Sequence, residues 1–308
     1  MTQTVLTLND LARVGFYALI NKGLESTDPM YQRYIAGTIK SRQAFELFAY
    51  HGGLGLFQQR DEGDRVKIDS VPQRYRQRVT PIIHSLGLRY TKQAEYKDIM
   101  DFIKSQGPMV AQAANATMNV QATNFFMNYA FPGGSSFSPD GVTIFNSAHP
   151  TVGATTVSNL GTSVISYFAL EEALTSIANQ ILDREDLPRI VNGGFKLFTT
   201  PTNNAAAVRA VNSIQVAGTN ANDTSEYVGK KIKQIIEDPY IGWQMPSMRL
   251  AWALIPAAQN ENPHRFMQIE GLRTHVEYKG EDDTTSMYAH YENTFFTMGY
   301  QGTFGSKP

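Results

Sequence analysis

The spacing of apolar residues predicts one long helical segment, from Thr91 to Phe131. Gly107-Pro108 interrupts it, and Pro108 is suited to be the first residue of a second helix, about 35 Å long. In this second helix small and flexible residues recur at intervals of three and four: Met109, Ala113, Ala116, Val120, Thr123, Met127 and Ala130. Such a stripe is more typical of packing against a sheet than of a cofactor cavity.

Residues 54–90 have a different pattern, in which polar and apolar positions alternate on either side of a turn cluster at 60–64. The segment lacks the apolar density for a core of its own, so it predicts a long hairpin that leans on another surface. Arg74, Arg76 and Arg78 recur at a period of two and are expected on one strand face. That face is either solvated or a docking face for an acidic neighbour, and the spacing does not separate the two interpretations.

The other segments alternate between helices and strands. Residues 9–25 predict a first helix, and Ser166 is suited to cap a helix that runs to about Asp183. A strand, a helix and a strand follow between Phe195 and Asp238, which predicts an α+β lobe over residues 160–262. The C-terminal part is expected to be rich in strands: Leu250–Ile255, Leu272–Lys279 and the aromatic run from Met287 to Phe304.

Residues 138–151, SPDGVTIFNSAHPT, contain a candidate for chemistry. Asp140-Gly141 predicts a turn, Val142–Phe145 a short strand, and His149 follows beside Asn and Ser. A catalytic histidine needs a nucleophile and an orienting acid close to it in space, and the sequence nominates neither. We therefore interpret His149 as a loop residue that holds the local geometry by hydrogen bonds.

Composition and charge narrow the classes of function. The chain has 308 residues, a formal net charge of −1 and no cysteine. Near-neutral charge argues against a strong general nucleic-acid binder, because that affinity comes largely from neutralised phosphates. The absence of cysteine excludes thiol nucleophiles, disulfides and cysteine metal sites. No signal peptide or membrane-spanning segment is expected from the apolar pattern.

The sequence contains no complete catalytic or cofactor-binding motif. The nucleophile elbow, the phosphate-binding loop and a complete dinucleotide loop are absent, and the six histidines show no metal-site spacing. The acidic clusters at 183–186 and 281–283 lack the alternation of a calcium loop and are interpreted as solvated faces. No catalytic, cofactor-binding or metal-binding residue is predicted, and the chain is not expected to be an enzyme.

The order of the segments nevertheless resembles a known family. After the N-terminal helix, the extended excursion and the long helix ending in FFMNYAF come DGVTIFNSAHPT, SNL, ALEEALTSIANQ, FKLFTTPTNNAAAVRAV and DPYIGWQMPSMRLAWALIP. This ordered set resembles the major capsid (head) protein of Mu-like tailed bacteriophages and prophages. The resemblance implies the Hong Kong 97-type capsid fold, an α+β fold with an N-terminal arm, an extended β-hairpin loop, a long spine helix, and peripheral and axial domains.

The resemblance divides the chain into five parts. Residues 1–53 correspond to the arm and the start of the peripheral domain, 54–90 to the extended loop, and 91–159 to the spine helix and peripheral domain. Residues 160–262 correspond to the axial domain and 263–308 to the C-terminal peripheral strands. The extended loop is expected to make more contacts with another subunit than with its own chain.

The resemblance also implies function and partners. The chain is expected to assemble with itself into pentamers and hexamers of an icosahedral head that encloses double-stranded DNA. It is expected to meet a separately encoded scaffold or protease protein, a portal protein and a decoration protein, and to contact the DNA weakly and without sequence preference. No cofactor, membrane contact or covalent cross-link is expected. The chain would be located in the virion, after assembly in the cytoplasm of the bacterial host.

Two further predictions concern the contacts and the alternatives. Arg74, Arg76 and Arg78 are expected to meet an acidic cluster on a neighbouring subunit. Glu281, Asp282 and Asp283 are preferred to Asp183, Glu185 and Asp186, because the first set lies between peripheral strands in the family. The alternative functions are an enzyme with an unrecognised site on an α+β fold, or another virion structural protein such as a decoration or tail-tube protein.

Overall fold

A computed structural model of the chain describes residues 23, 28–51, 57, 59–66, 68, 73–151, 156–180, 191–213, 226–279 and 284–308. The first helix predicted at residues 9–25 lies outside the described residues, apart from residue 23. The acidic clusters at 183–186 and 281–283 lie outside them as well.

A four-stranded sheet is built around a long hairpin near the C-terminus. Its strands, in order of neighbours, are β1 (Gly37–Lys40), β11 (His264–Lys279), β12 (Thr284–Thr297) and β4 (Ile82–Thr91). β1 runs parallel to β11, and the other two pairs are antiparallel. The sheet therefore joins three distant parts of the sequence.

A second sheet has five strands. In order of neighbours the strands are β7 (Leu160–Gly161), β13 (Phe304–Ser306), β10 (Trp252–Pro256), β8 (Phe195–Thr199) and β9 (Ile232–Glu237). β8 and β9 are parallel, which confirms the predicted strand-helix-strand unit. β13 corrects the predicted division of the chain, because residues 304–306 pair with β10 and β7 rather than with the C-terminal hairpin.

The lobe has three helices among the described residues: α3 (Tyr167–Ala178), α4 (Pro201–Asn212) and α5 (Glu226–Lys231). The first two begin where the sequence predicts, whereas α5 is not predicted, because the sequence pattern places Lys230-Lys231 at the start of the following strand. Ser166 caps α3, since its side chain accepts a hydrogen bond from the amide of Ala169, and Thr200 caps α4 in the same way from Asn203. α3 ends at Ala178, before the predicted limit near Asp183.

The predicted excursion at 54–90 divides between two partners. β3 (Gln73–Val79) pairs with β2 (Glu46–His51) as an antiparallel hairpin, whereas β4 pairs with β12 of the four-stranded sheet. The prediction of one hairpin over 54–90 is therefore wrong for residues 82–90. Alternation reveals extended backbone but not the partner strand, which here lies about two hundred residues downstream.

The long helix α2 (Lys92–Thr123) continues through Pro108 and ends in a π-helical turn at Asn124–Asn128. A short helix, α1 (Tyr31–Tyr34), packs near its C-terminal end. The predicted apolar stripe is correct for Thr123, Met127 and Ala130, which are buried, but wrong for Met109, which is 60% exposed.

Two apolar clusters lie on the two faces of the five-stranded sheet. Trp252 and Leu254 of β10 belong to the cluster that includes helices α3–α5. Ala253 and Ile255 belong to the cluster that includes the end of α2, α1 and the four-stranded sheet. This alternation buries both faces of the sheet and connects the two sheets through one core.

The segment 138–151 is mostly irregular. Two short strands, β5 (His149–Pro150) and β6 (Thr156–Val157), pair at its end, and a single bridge joins Phe137 to Thr143. The strand predicted at Val142–Phe145 is therefore wrong. Ile144 and Phe145 are fully buried, so their apolar character reflects core packing rather than strand formation.

Candidate assembly surfaces

The hairpin β2–β3 has an inner face that packs on its own chain and an outer face that does not. On the inner face, Phe48 stacks on Phe296 with 4.9 Å between ring centroids, and Val79 is buried beside it. On the outer face, Leu47 is 64% exposed and Phe45 is also exposed. An outer face that combines exposed apolar side chains with charge is typical of an interaction surface.

Arg76 and Arg78 lie on this outer face. Their cross-strand partners are Ala49 and Leu47, and both arginines are exposed. The guanidinium of Arg78 lies 4.1 Å from the centre of the Phe45 ring, a cation–π contact that holds its orientation. The structure therefore brings together two of the three arginines that the sequence predicts.

Arg74 departs from the predicted stripe. The register shifts between the pairs Ala49–Arg76 and His51–Gln73, so β3 carries one extra residue there and the alternation breaks. Arg74 is half-buried, with its guanidinium 4.9 Å from the Tyr75 ring. A bulge of one residue has no period-two signal, which explains why the sequence pattern missed it.

The acidic partners predicted for these arginines lie outside the described residues. This applies to Glu281, Asp282 and Asp283, and also to Asp183, Glu185 and Asp186. The pairing of the arginine face with either cluster therefore stays a prediction.

His149 lies at the centre of a closed hydrogen-bonded junction. Its Nδ1 is 2.6 Å from Oδ2 of Asp140, and its Nε2 is 3.1 Å from Oδ1 of Asn159. The imidazole stacks on the ring of Tyr300 at 3.6 Å, and His149 is fully buried. The interpretation that His149 holds the local geometry by hydrogen bonds is confirmed, although His149 is the first residue of the short strand β5 rather than a loop residue.

The orientation of the Asn159 amide identifies what His149 does. Its Nδ2 donates to the carbonyl of Ile144 at 2.9 Å, and its Oδ1 accepts the backbone N–H of Asn146 at 2.7 Å. That oxygen therefore faces His149, so both ring nitrogens point at acceptors, one of them a carboxylate. The ring therefore connects the turn at 138–141, through Asp140, to Asn159.

A second buried polar junction joins α1, α2 and β9. Oδ2 of Asp238 accepts hydrogen bonds from the hydroxyls of Tyr34 and Thr123, each at 2.5 Å, and Oδ1 accepts the amide of Tyr240 at 2.8 Å. Burial raises the pKa of Asp238, although the hydrogen bonds from Thr123 and Tyr34 oppose the shift. This carboxylate fixes the end of the long helix against the five-stranded sheet.

The outer strand β4 forms a further surface that the sequence pattern did not identify. Ile82 and Ile83 are exposed, and a cavity of about 340 Å³ opens between β4, β12 and the end of α2. Ile82, Phe125 and Asn293 are among its lining residues. The signal in the sequence was the run IIHSLG after Pro81, which contains no charged residue.

The described acids and histidines do not form a metal site. Within the described parts of the chain, no three His, Asp or Glu side chains come together in a way that could hold an ion. Among the described residues, no helix is long and apolar enough to cross a membrane.

Comparison with known proteins gives matches at the level of structure. No family model matches the sequence, and no curated protein does. The asymmetric unit of the bacteriophage PhiM1 mature capsid matches with a TM-score of 0.56 and 10% identity, over 90% of this chain and 86% of that one. The capsid of an empty GTA particle matches with a TM-score of 0.56 and 10% identity, over 91% and 90%.

A structure from Mycobacterium phage Patience matches with a TM-score of 0.54 and 15% identity, over 99% of this chain and 89% of that one. Identities this low concern the fold alone. The three matches cover at least 90% of this chain and at least 86% of each neighbour. The chain therefore has the Hong Kong 97-type fold seen in phage capsids.

Proposed function

We propose that the chain is a capsid protein, which assembles from many copies into a closed phage-type shell. The observation that carries the proposal is the match along nearly the full length of capsid structures. The outer face of the β2–β3 hairpin supports it, because Phe45, Leu47, Arg76 and Arg78 are exposed together in a single copy. A neighbouring copy would remove the apolar part of this face from water.

The two sheets suggest how the proposed shell is organised. The five-stranded sheet with α3–α5 corresponds to the axial domain at the centre of a pentamer or hexamer. The four-stranded sheet with α2 corresponds to the peripheral domain, and β2–β3 to the extended loop. The buried Asp238 and His149 junctions join separate segments of the chain by hydrogen bonds.

Finer features of the proposal rest on the ordered sequence segments. They favour a Mu-like tailed phage or prophage, an icosahedral head around double-stranded DNA, and assembly in the cytoplasm of the bacterial host with a scaffold or protease protein. Contacts with a portal and a decoration protein belong to the same proposal. The location of the assembled protein would be the virion.

The enzyme alternative loses His149, its main candidate for a catalytic residue. His149 is fully buried, and both of its ring nitrogens already have partners, so a substrate cannot reach it. Its acid and amide neighbours serve the backbone of the loop rather than a nucleophile. No observation in the described residues favours an enzyme over a shell protein.

The proposal is tested by assembly of the purified chain, alone and with its scaffold protein. Light scattering coupled to size exclusion, and negative-stain microscopy, should show capsomers, tubes or closed particles. Leu47→Asp should abolish them while the thermal midpoint of the unassembled chain stays unchanged, because this side chain is 64% exposed in one copy. A chain that stays monomeric under all these conditions, with a cooperative unfolding transition, would contradict the proposal.

A further inference from the structure

The outer edge of β4 is unprotected in a way that natural sheets avoid. Within the described residues, β4 pairs only with β12, and no strand lies along its other edge at Ile82–Gly87. Free edges are normally protected by charged residues, proline or a bulge. The first six residues of β4, Ile82–Gly87, contain none of these, and Ile83 is 67% exposed.

A buried acceptor without a donor lies beside this edge. Asn293 is the cross-strand partner of Ile82, and both side chains line the 340 Å³ cavity. Asn293 is only 2% exposed, and its Oδ1 has no hydrogen-bond partner among the described residues. A buried amide oxygen left unpaired is costly, so its presence points to a donor that the described residues of a single copy do not supply.

The cavity also restricts the charge of what enters it. Among its lining residues there is no lysine, arginine, aspartate or glutamate. His84 is engaged with Gln121 at 3.0 Å, and burial lowers its pKa, which favours the neutral ring. The apolar wall is formed by Ile82, Phe125 and Phe295. A group that fits this lining is therefore uncharged, has an N–H or O–H that can donate to Asn293, and carries apolar atoms.

We propose that an extended segment of a second copy of this chain pairs with the free edge of β4 and places an uncharged donor against Asn293 in the adjoining cavity. An added strand supplies backbone N–H and C=O groups to the edge and side chains to the cavity. It covers Ile82 and Ile83, which lie on opposite faces of β4, as a partner beside the strand must. This inference rests on the proposed function, since a shell supplies the second copy.

Amide hydrogen exchange tests the pairing directly. The peptide that spans β4 is compared in unassembled chain and in shells assembled from purified chain alone. Its edge amides should exchange at least about tenfold more slowly in shells, because a paired amide exchanges only when the contact opens. Slow exchange that appears only when another protein is added would overturn the second copy as occupant.

Two variants sharpen the test. Ile83→Lys should leave the unassembled fold intact, reduce assembly and remove the protection of β4. Met109→Lys is the matched control, because Met109 is similarly exposed on α2, at 60% against 67%. Equal losses in both variants would assign the effect to added charge and overturn the proposal.

Asn293→Leu removes the unpaired acceptor without changing the shape greatly. The unassembled chain should become more stable to unfolding, while the protection of β4 in shells falls. Unchanged protection would show that Asn293 accepts nothing from the neighbour.

The failure of this inference is distinguishable from the failure of the proposed function. Shells in which β4 exchanges as fast as in unassembled chain would refute the pairing and leave the capsid proposal intact. Concentration-dependent protection of β4 in dimers, under conditions that give no capsomers, tubes or shells, would support the pairing and contradict the capsid proposal.

Discussion

The hydroxyl of Tyr34 donates a hydrogen bond of 2.5 Å to Oδ2 of Asp238, across 204 residues of sequence. Both groups are buried, and the Tyr34 ring stacks on Phe198 with 4.0 Å between centroids. Burial, together with the nearby Asp238 carboxylate, raises the pKa of Tyr34 well above its ordinary value, so its hydroxyl keeps the proton that it donates. The contact fixes α1 to the end of β9.

Tyr34→Phe should lower the free energy of unfolding by about 1.5–3 kcal/mol, the usual contribution of a hydrogen bond to a charged group. The ring stacking survives, so the loss measures the hydroxyl alone. Tyr31→Phe is the control in the same helix, because the Tyr31 hydroxyl meets the exposed Gln32 side chain at 3.5 Å. Denaturant unfolding of both variants gives the comparison, and equal small losses would contradict the importance of the Asp238 contact.

His149→Phe should destabilise the chain by about 3–5 kcal/mol, because it leaves Asp140 buried without its partner. The aromatic ring can still stack on Tyr300, so the loss reports the hydrogen bonds. Adding Asp140→Asn to this variant should recover part of the stability, since the unpaired charge is removed. A double variant no more stable than His149→Phe would show that charge pairing is not what holds the junction.

This junction shows how far the sequence was informative. The turn at Asp140-Gly141 was predictable, because an Asp-Gly pair is a turn signal. The backbone at Gly141 has a φ of +86°, which favours glycine. The hydrogen-bonding role of His149 was also predictable, from the lack of a nucleophile. The stacking on Tyr300 was not, because no local pattern connects residues about 150 apart.

The long helix shows why the phase of an apolar stripe can be wrong. Its buried face includes Asn115 and Asn119 besides Thr123, and Asn119 Oδ1 accepts the amide of Tyr31 at 2.9 Å. A pattern built on hydrophobicity skips these positions and chooses Met109 instead. Asn119 is buried where the backbone of α1 needs an acceptor, and hydropathy does not record that requirement.

His264 should make the chain less stable in acid. It is fully buried, and burial, with Arg265 close by, lowers its pKa from 6.5 to about 3. Below pH 6.5 the unfolded chain binds a proton that the folded chain does not, so stability falls as pH falls, by up to about 1.4 kcal/mol per pH unit. The loss should continue down to about pH 3.

His264→Gln supplies the measurement. Unfolding free energies between pH 7 and 4 should fall less steeply for the variant than for the natural chain. The difference between the two curves reports His264, because the contributions of the other titrating groups are common to both. Parallel curves would show that His264 takes up its proton in the folded state.

Gly305→Ala should destabilise the chain by about 1–3 kcal/mol, the usual cost of overpacking a core. A Cβ at this position would lie 2.5 Å from Cγ of Phe145, whose ring is fully buried beside Phe131. Gly37→Ala is the matched control, because a Cβ there would meet nothing within 4 Å. Thermal unfolding of the two variants should differ clearly, and equal midpoints would mean that the Phe145 ring moves freely.

Arg76→Glu should impair assembly, and it tests the arginine face of the hairpin. Arg76 and Arg78 are exposed on one face, and each exposed ion pair with an acidic neighbour contributes only about 0.2–1 kcal/mol. A shell repeats the contact in every copy, so the small contribution accumulates. Salt should weaken it, because the Debye length shrinks to about 3 Å at 1 M.

A second charge reversal identifies the acidic partner of Arg76, and a charge reversal elsewhere serves as the control. Asp282→Arg in the same chain should restore the assembly of Arg76→Glu in part, if the cluster at 281–283 receives the arginines. Arg209→Glu on α4 changes the net charge equally and should assemble normally. Light scattering at low and high salt measures all three. If Arg76→Glu assembles normally in low salt, the two arginines are a solvated strand face. In that case Phe45 and Leu47 are the only residues of the outer face that contact the neighbouring copy.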